Sequence, residues 1–127
     1  MCKYCYVCGK SGNLEAHHIC KRSQVPALTH SPLNIIYLCP VHHRSEIGVH
    51  GRDGHELDLK LKLELQNKLE LLFDKEYFTE EEIRETLGIS ERATKRLLKT
   101  LKRKNNMFER SEIIRICMGG RLYEWYY

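Results

Sequence analysis

Apolar residues are spread unevenly along this chain. From residue 1 to about 55 they come in short pieces such as "LEAHHI" and "PLNIIYLC", broken by glycines, prolines and charged residues. Pieces of that length cannot carry a helical stripe and read as brief strands joined by loops. With so little continuous apolar sequence, this part needs an internal cross-link to hold its shape.

The next stretch, "HELDLKLKLELQNKLELLFDK", is ambiguous by pattern alone. Leu57, Leu59, Leu61, Leu63 and Leu65 alternate as they would in a strand. The residues between them are helix formers, however, and Leu57, Leu61, Leu65, Leu69 and Leu72 make a stripe about four turns long. A long helix is expected.

From Tyr77 the pattern changes again. Thr79 in "TEEE" is placed to cap a helix with Glu82 at the reciprocal position, and Ile83 and Leu87 lead to a stop at Gly88. Ser90 then caps "ERATKRLLKTLKRK", whose Ala93, Leu97, Leu98 and Leu101 form one apolar face. Two helices across a tight glycine turn are the helix-turn-helix pattern. The closing "SEIIRICMGGRLYEWYY" reads as two strands around Gly119-Gly120, a hairpin signal. Residues 76–127 are therefore expected to form a small winged-helix-like domain, with Trp125, Tyr126 and Tyr127 finishing its core. Residues 1–75 form the other domain, and no internal repeat stands out.

The six cysteines change the picture of the first part. The sequence opens without the apolar core of a signal peptide, and no segment is apolar enough to span a membrane, so an intracellular setting with reduced thiols is expected. There, Cys-x-x-Cys spacings read as metal sites. Cys5-x-x-Cys8-Gly9 is a knuckle in which two thiolates grip one side of an ion while glycine lets the backbone turn. Cys39-Pro40-Val41-His42 supplies the matching half. Three sulfurs and one imidazole are a closed set typical of structural zinc. Cys2-x-x-Cys5 has the same spacing, and Gly9 favours the Cys5 and Cys8 register. Cys20 and Cys117 stand alone and are expected to pack in the interior.

Four of the seven histidines come as doublets, His17-His18 and His42-His43. If His42 binds zinc, His43 is free to face elsewhere. Neighbours in an extended segment leave on opposite sides, so His17 and His18 suit two different tasks. Phosphodiester hydrolysis offers two: holding a divalent ion that stabilises charge, and taking a proton from the attacking water. Imidazole can do either near neutral pH. Glu15 is expected to be a solvated strand residue.

Over about residues 5 to 50, the run "CYVCG", "LEAHHI", Asn34 in "PLNIIYLC", "CPVHHR" and "GVHG" resembles the HNH endonucleases, a family with a ββα-metal fold and often with flanking zinc knuckles. The resemblance implies an α+β chain: a zinc-stabilised ββα-metal domain, a long helix and the winged-helix-like domain. It implies that His17 and His43 bind a catalytic divalent cation, that His18 is the general base, and that Asn34 braces the loop between the strands. His50 would be a further ligand or a phosphate contact. Many members place aspartate at the His17 position, which suits magnesium, whereas two imidazoles favour manganese, nickel, cobalt or zinc. The implied substrate is double-stranded DNA, in a bacterial or phage-infected cell, with the C-terminal part as a targeting device of the kind that phage and homing-type nucleases carry.

The charge pattern agrees with that partner. The overall charge of +4 says little, but Arg92, Lys95, Arg96, Lys99, Lys102, Arg103 and Lys104 face the single acid Glu91 along one expected helix. Arg92, Thr94, Lys95 and Lys99 are the candidates for the major groove, and Arg115 and Arg121 of the expected hairpin join them. Two other readings compete: a non-catalytic, zinc-containing DNA-binding regulator, and an interaction protein whose C-terminal module docks another protein.

Overall fold

The computed structural model describes residues 3–124. Among them are five α-helices and two small two-stranded sheets, a mixed α+β fold. Strands β1 (Glu15–His18) and β2 (Ile35–Leu38) pair antiparallel, with His17 opposite Ile36 and His18 opposite Ile35. The loop joining them holds two 3₁₀ turns, Pro26–Leu28 and Pro32–Asn34, each begun by a proline whose fixed φ suits the first position. Helix α1 (Pro40–Arg44) follows β2 almost at once.

The segment after α1 folds back onto it, Val49 N donating to His42 O at 2.9 Å and His50 N to His43 O at 3.2 Å. Gly48 makes this approach possible, since a Cβ there would lie 2.8 Å from the carbonyl carbons of His42 and His43. The consequence is that His50 is returned to the neighbourhood of His43.

Helix α2 (His55–Leu72) resolves the ambiguity of the leucine-rich stretch. Leu61, Leu65 and Leu69 are buried and Leu57 packs against the same core, but Leu72 turns outward and the fully buried Phe73 takes its place. Strand β3 (Tyr77–Thr79) runs into helix α3 (Glu80–Leu87) through the expected reciprocal cap: Glu82 N donates to Thr79 Oγ1 at 3.2 Å and Thr79 N to Glu82 Oε1 at 2.9 Å. Gly88 stops α3 at φ +66°, and Ser90 caps α4 (Glu91–Leu98) by accepting from Ala93 N at 3.1 Å.

Beyond α4 the expectations need correction. The basic helix does not continue to Lys104. It ends at Leu98, and Leu101 N donates to Leu98 O in a tighter turn that buries Leu101. The hairpin turn lies at Asn105 and Asn106, not at Gly119-Gly120. Both asparagines have positive φ, and Lys104 and Met107 exchange backbone hydrogen bonds across them, which is the geometry of a primed two-residue turn. Strand β4 (Met107–Glu109) then pairs with β3, Phe108 directly opposite Phe78.

The segment expected to form a wing is helix α5 (Arg110–Cys117). Its isoleucines favour strands as residue types, but Ile113, Ile114 and Cys117 share one helical face and are all buried, and that packing overrides the propensity. Gly119 and Gly120, both at positive φ, end the helix. A weak internal repeat emerges that the sequence did not disclose: Phe78, Glu82 and Ile83 occupy the same places in β3–α3 as Phe108, Glu112 and Ile113 do in β4–α5.

The buried side chains form one continuous cluster from Cys5 to Met118, crossing the boundary expected near residue 75. Cys20 and Cys117 lie within it, and burial pushes the Cys20 thiol up to about 11. Arg110 donates to the Glu70 and Phe73 carbonyls that α2 leaves open at its end, and Gln66 exchanges two hydrogen bonds with the backbone of Tyr123. The expected core roles of Trp125, Tyr126 and Tyr127 fall outside the described residues. No helix among the described residues is long and apolar enough to cross a membrane.

Candidate functional site

The two halves of the knuckle meet. Gly9, at φ +74°, turns the chain so that its N–H returns to Cys5 O at 2.8 Å, and Tyr6 N donates to Tyr37 O, tying the turn to β2. Cys5, Cys8, Cys39 and His42 bring their ligand atoms within 4.8 Å of one another. Cys8 Sγ lies 3.8 Å from Cys39 Sγ, and His42 Nδ1 lies 3.3 Å from Cys39 Sγ and 3.8 Å from Cys5 Sγ. A tetrahedral zinc with bonds of about 2.3 Å to sulfur requires ligand atoms about 3.5–3.8 Å apart, so this group could hold such an ion. Burial alone would raise the Cys5 thiol, but amide donors from Cys39, Cys8 and Val7 more than offset it and draw the pKa down to about 6, towards the thiolate a metal needs. Cys2, the alternative ligand, lies outside the described residues.

A second cluster adjoins the first. His17, His43 and His50 also place ligand atoms within 4.8 Å of one another, with ring centroids 4.7 to 5.3 Å apart. The alternation expected of β1 holds: His17 is only 4 % exposed, while His18 is half-buried and points elsewhere. His17 Nε2 is buried without any hydrogen-bond partner. An orphaned ring nitrogen among two other imidazoles fits a cation well and is otherwise costly. Burial, then the neighbouring His50 and His43, lower the His17 pKa to about 4, which leaves the ring neutral and able to donate its lone pair. Burial also lowers the pKa of His50.

Glu15 corrects a sequence expectation. It is not a free solvated residue: its Oε1 accepts from His43 Nδ1 at 2.8 Å, and Arg44 holds both of its oxygens, at 3.0 and 2.9 Å. The His43 hydrogen bond, assisted by Arg44, keeps the carboxyl pKa below the usual range. Because a carboxylate only accepts, His43 must carry its proton on Nδ1, and the Nε2 lone pair is left free. The available signal was the strand period, since Glu15 and His17 are two residues apart and share a face.

His18 is oriented by the backbone. Its Nε2 lies 2.9 Å from the carbonyl of Thr29, which can only accept, so the proton sits on Nε2 and Nδ1 is free to take one. Nothing in the sequence marked Thr29 for this role. Asn34, 1 % exposed, braces the loop in between: Oδ1 accepts from Cys20 N at 2.7 Å, and Nδ2 donates to Cys20 O at 3.0 Å and Leu28 O at 3.3 Å. His17, His18, His43 and His50 line a cleft of about 490 Å³ together with Lys21, Arg22 and Ser23, so cations not singled out in the sequence stand at its rim.

The residues considered for a DNA groove fare unevenly. Arg92 and Lys99 are exposed. Lys95 is exposed but pairs with Glu80 at 2.9 Å and Glu91 at 3.7 Å. Thr94 is fully buried, its hydroxyl bonded to Ser90 O, because it lies on the same helical stripe as Leu97, Leu98 and Leu101, and it cannot touch a groove. Arg115 is engaged by Glu112 at 2.7 Å on α5, and Arg121 lies over the Tyr123 ring, so neither projects from a wing. Comparison with protein-family models, with curated proteins and with solved structures gave no match to this chain.

Proposed function

We propose that this chain is a metal-dependent endonuclease of the HNH type that hydrolyses phosphodiester bonds in double-stranded DNA from a zinc-supported ββα-metal domain. The observation that carries the reading is the orphaned Nε2 of His17 beside His43 and His50, in one cleft with His18. A divalent cation held by these three imidazoles would stabilise negative charge on the phosphate and on the departing oxygen. An all-nitrogen donor set favours manganese, nickel, cobalt or zinc over magnesium.

This chain's own residues do the rest. His18 Nδ1 takes the proton of the attacking water, and as the ring becomes cationic its Nε2–H stays on the Thr29 carbonyl, which stabilises that charge. Glu15 holds His43 in the tautomer that leaves Nε2 open. Lys21 and Arg22 hold the phosphate backbone at the rim, and Arg92 and Lys99 present the outward face of α4 to DNA. The Cys5, Cys8, Cys39 and His42 group holds a structural zinc that fixes α1 against β2.

Cleavage of supercoiled plasmid across magnesium, manganese and nickel, by the parent and by His18→Ala, tests the reading. The parent is expected to nick, and His18→Ala to be slower by about 10²–10⁴-fold. Equal nicking by both would remove His18 as the base, and none by the parent with any of the metals would favour a non-catalytic DNA-binding role.

A further inference from the structure

The loop between β1 and β2 carries the carbonyl that orients His18, and the C-terminal helices hold that loop at three points. Ser31, fully buried, donates from Oγ to the Leu87 carbonyl at 2.6 Å, at the last residue of α3, where helical carbonyls lack partners. Pro32 lies against Gly88, where an added Cβ would come 3.2 Å from Pro32 Cδ. The 3₁₀ turn Pro26–Leu28 packs against α4, and Val25, Pro26 and Ala27 border a cavity of about 210 Å³ together with Arg96 and Leu97. Thr29 follows rigidly, because its N–H and its hydroxyl both donate to Pro26 O, at 3.2 and 2.7 Å. Asn34 braces the loop from within, through Cys20 and the Leu28 carbonyl, and α3 and α4 hold its outer side, so the Thr29 carbonyl that meets His18 Nε2 lies between the two supports.

We infer that the α3–α4 unit belongs to the catalytic apparatus as well as addressing DNA, with Ser31 the positioning residue that transmits its placement through the Thr29 carbonyl to His18. The inference rests on the proposed role of His18 as base. An imidazole without a fixed acceptor on Nε2 divides between tautomers and ring orientations, so less of the enzyme presents a free Nδ1 to the cleft. The C-terminal half then contributes to the chemical step even on substrates that need no addressing.

Two variants of the zinc-loaded chain test this, both assayed at a temperature where amide spectra show the native fold. Ser31→Ala removes the hydrogen bond to α3, and Leu97→Ala thins α4 beside Pro26 and Ala27. NMR of isotope-labelled histidine reads the His18 tautomer without DNA, and plasmid cleavage reads kcat and KM. The parent should show the Nε2–H tautomer alone. Each variant should show a mixture, with kcat lower by at least the fraction of the Nε2–H form that is lost and KM within about twofold. A variant set that keeps the parent tautomer, or that loses the tautomer while keeping kcat, overturns the inference. If the parent itself cleaves nothing, the nuclease reading fails, whereas an unchanged or shifted tautomer still decides whether α3 and α4 position His18.

Discussion

His42 and His43 are neighbours on α1, yet they serve clusters of opposite construction. His42 joins three sulfurs in a four-donor set, with Cys5 and Cys39 buried. His43 joins two imidazoles in a three-donor set that opens on a cleft bordered by Lys21 and Arg22. Four donors close a tetrahedral shell and leave the ion no place for a substrate, while three leave positions free. One short helix thus ties a candidate zinc site to a candidate reactive one.

The largest expected effect breaks the closed cluster. Cys39→Ser removes the ligand next to α1, and because structural zinc binding is worth about 10–16 kcal/mol in small domains, the variant should lose its zinc and the native fold of residues 3–54. Metal content by mass spectrometry and thermal unfolding check this. His43→Ala, by contrast, should keep both its zinc and its unfolding temperature, which would separate the two clusters cleanly.

A smaller effect reports the buried member of the open cluster. His17 titrates near 4 when folded against 6.5 for an ordinary histidine, so between those values the unfolded chain binds more protons than the native one. The contribution of His17 to stability is then full above about pH 6.5 and declines by roughly 3 kcal/mol as the pH falls towards 4. Zinc release at low pH acts on parent and variant alike, so the difference in urea midpoint between the parent and His17→Asn, followed across that window, should show the slope.

Outside the ligands, Glu15→Gln keeps the shape of the contact to His43 but removes its charge. Manganese affinity at the open cluster, measured by calorimetry, should fall about tenfold, in the range usual for loss of a carboxylate behind a histidine ligand, with zinc content unchanged. The smallest effect concerns α4. Lys99→Ala should lower the salt dependence of DNA binding by about one phosphate contact, and Lys95→Ala by less, because Glu80 already neutralises Lys95.

Features that depend on spacing were legible in the sequence. The Cys5, Cys8, Cys39 and His42 set, the split of each histidine doublet, the Thr79 cap and the brace at Asn34 all follow from short-range geometry or from ordered motifs. What escaped depends on partners distant in sequence. Ile113, Ile114 and Ile116 look like strand residues until the core they face is known, and the turn expected at Gly119-Gly120 lies instead at Asn105-Asn106. Thr94 is polar, yet its helical phase, shared with Leu97 and Leu101, places it in the core. Thr29 contributes only a backbone carbonyl, which no residue type announces.

The most direct measurement is anomalous diffraction from crystals of the zinc-loaded chain soaked in manganese. A manganese peak within bonding distance of His17 Nε2, His43 and His50, separate from a zinc peak among Cys5, Cys8, Cys39 and His42, is the predicted result. Manganese found nowhere near His17, or His17 Nε2 still unligated while the ion sits elsewhere, would contradict it.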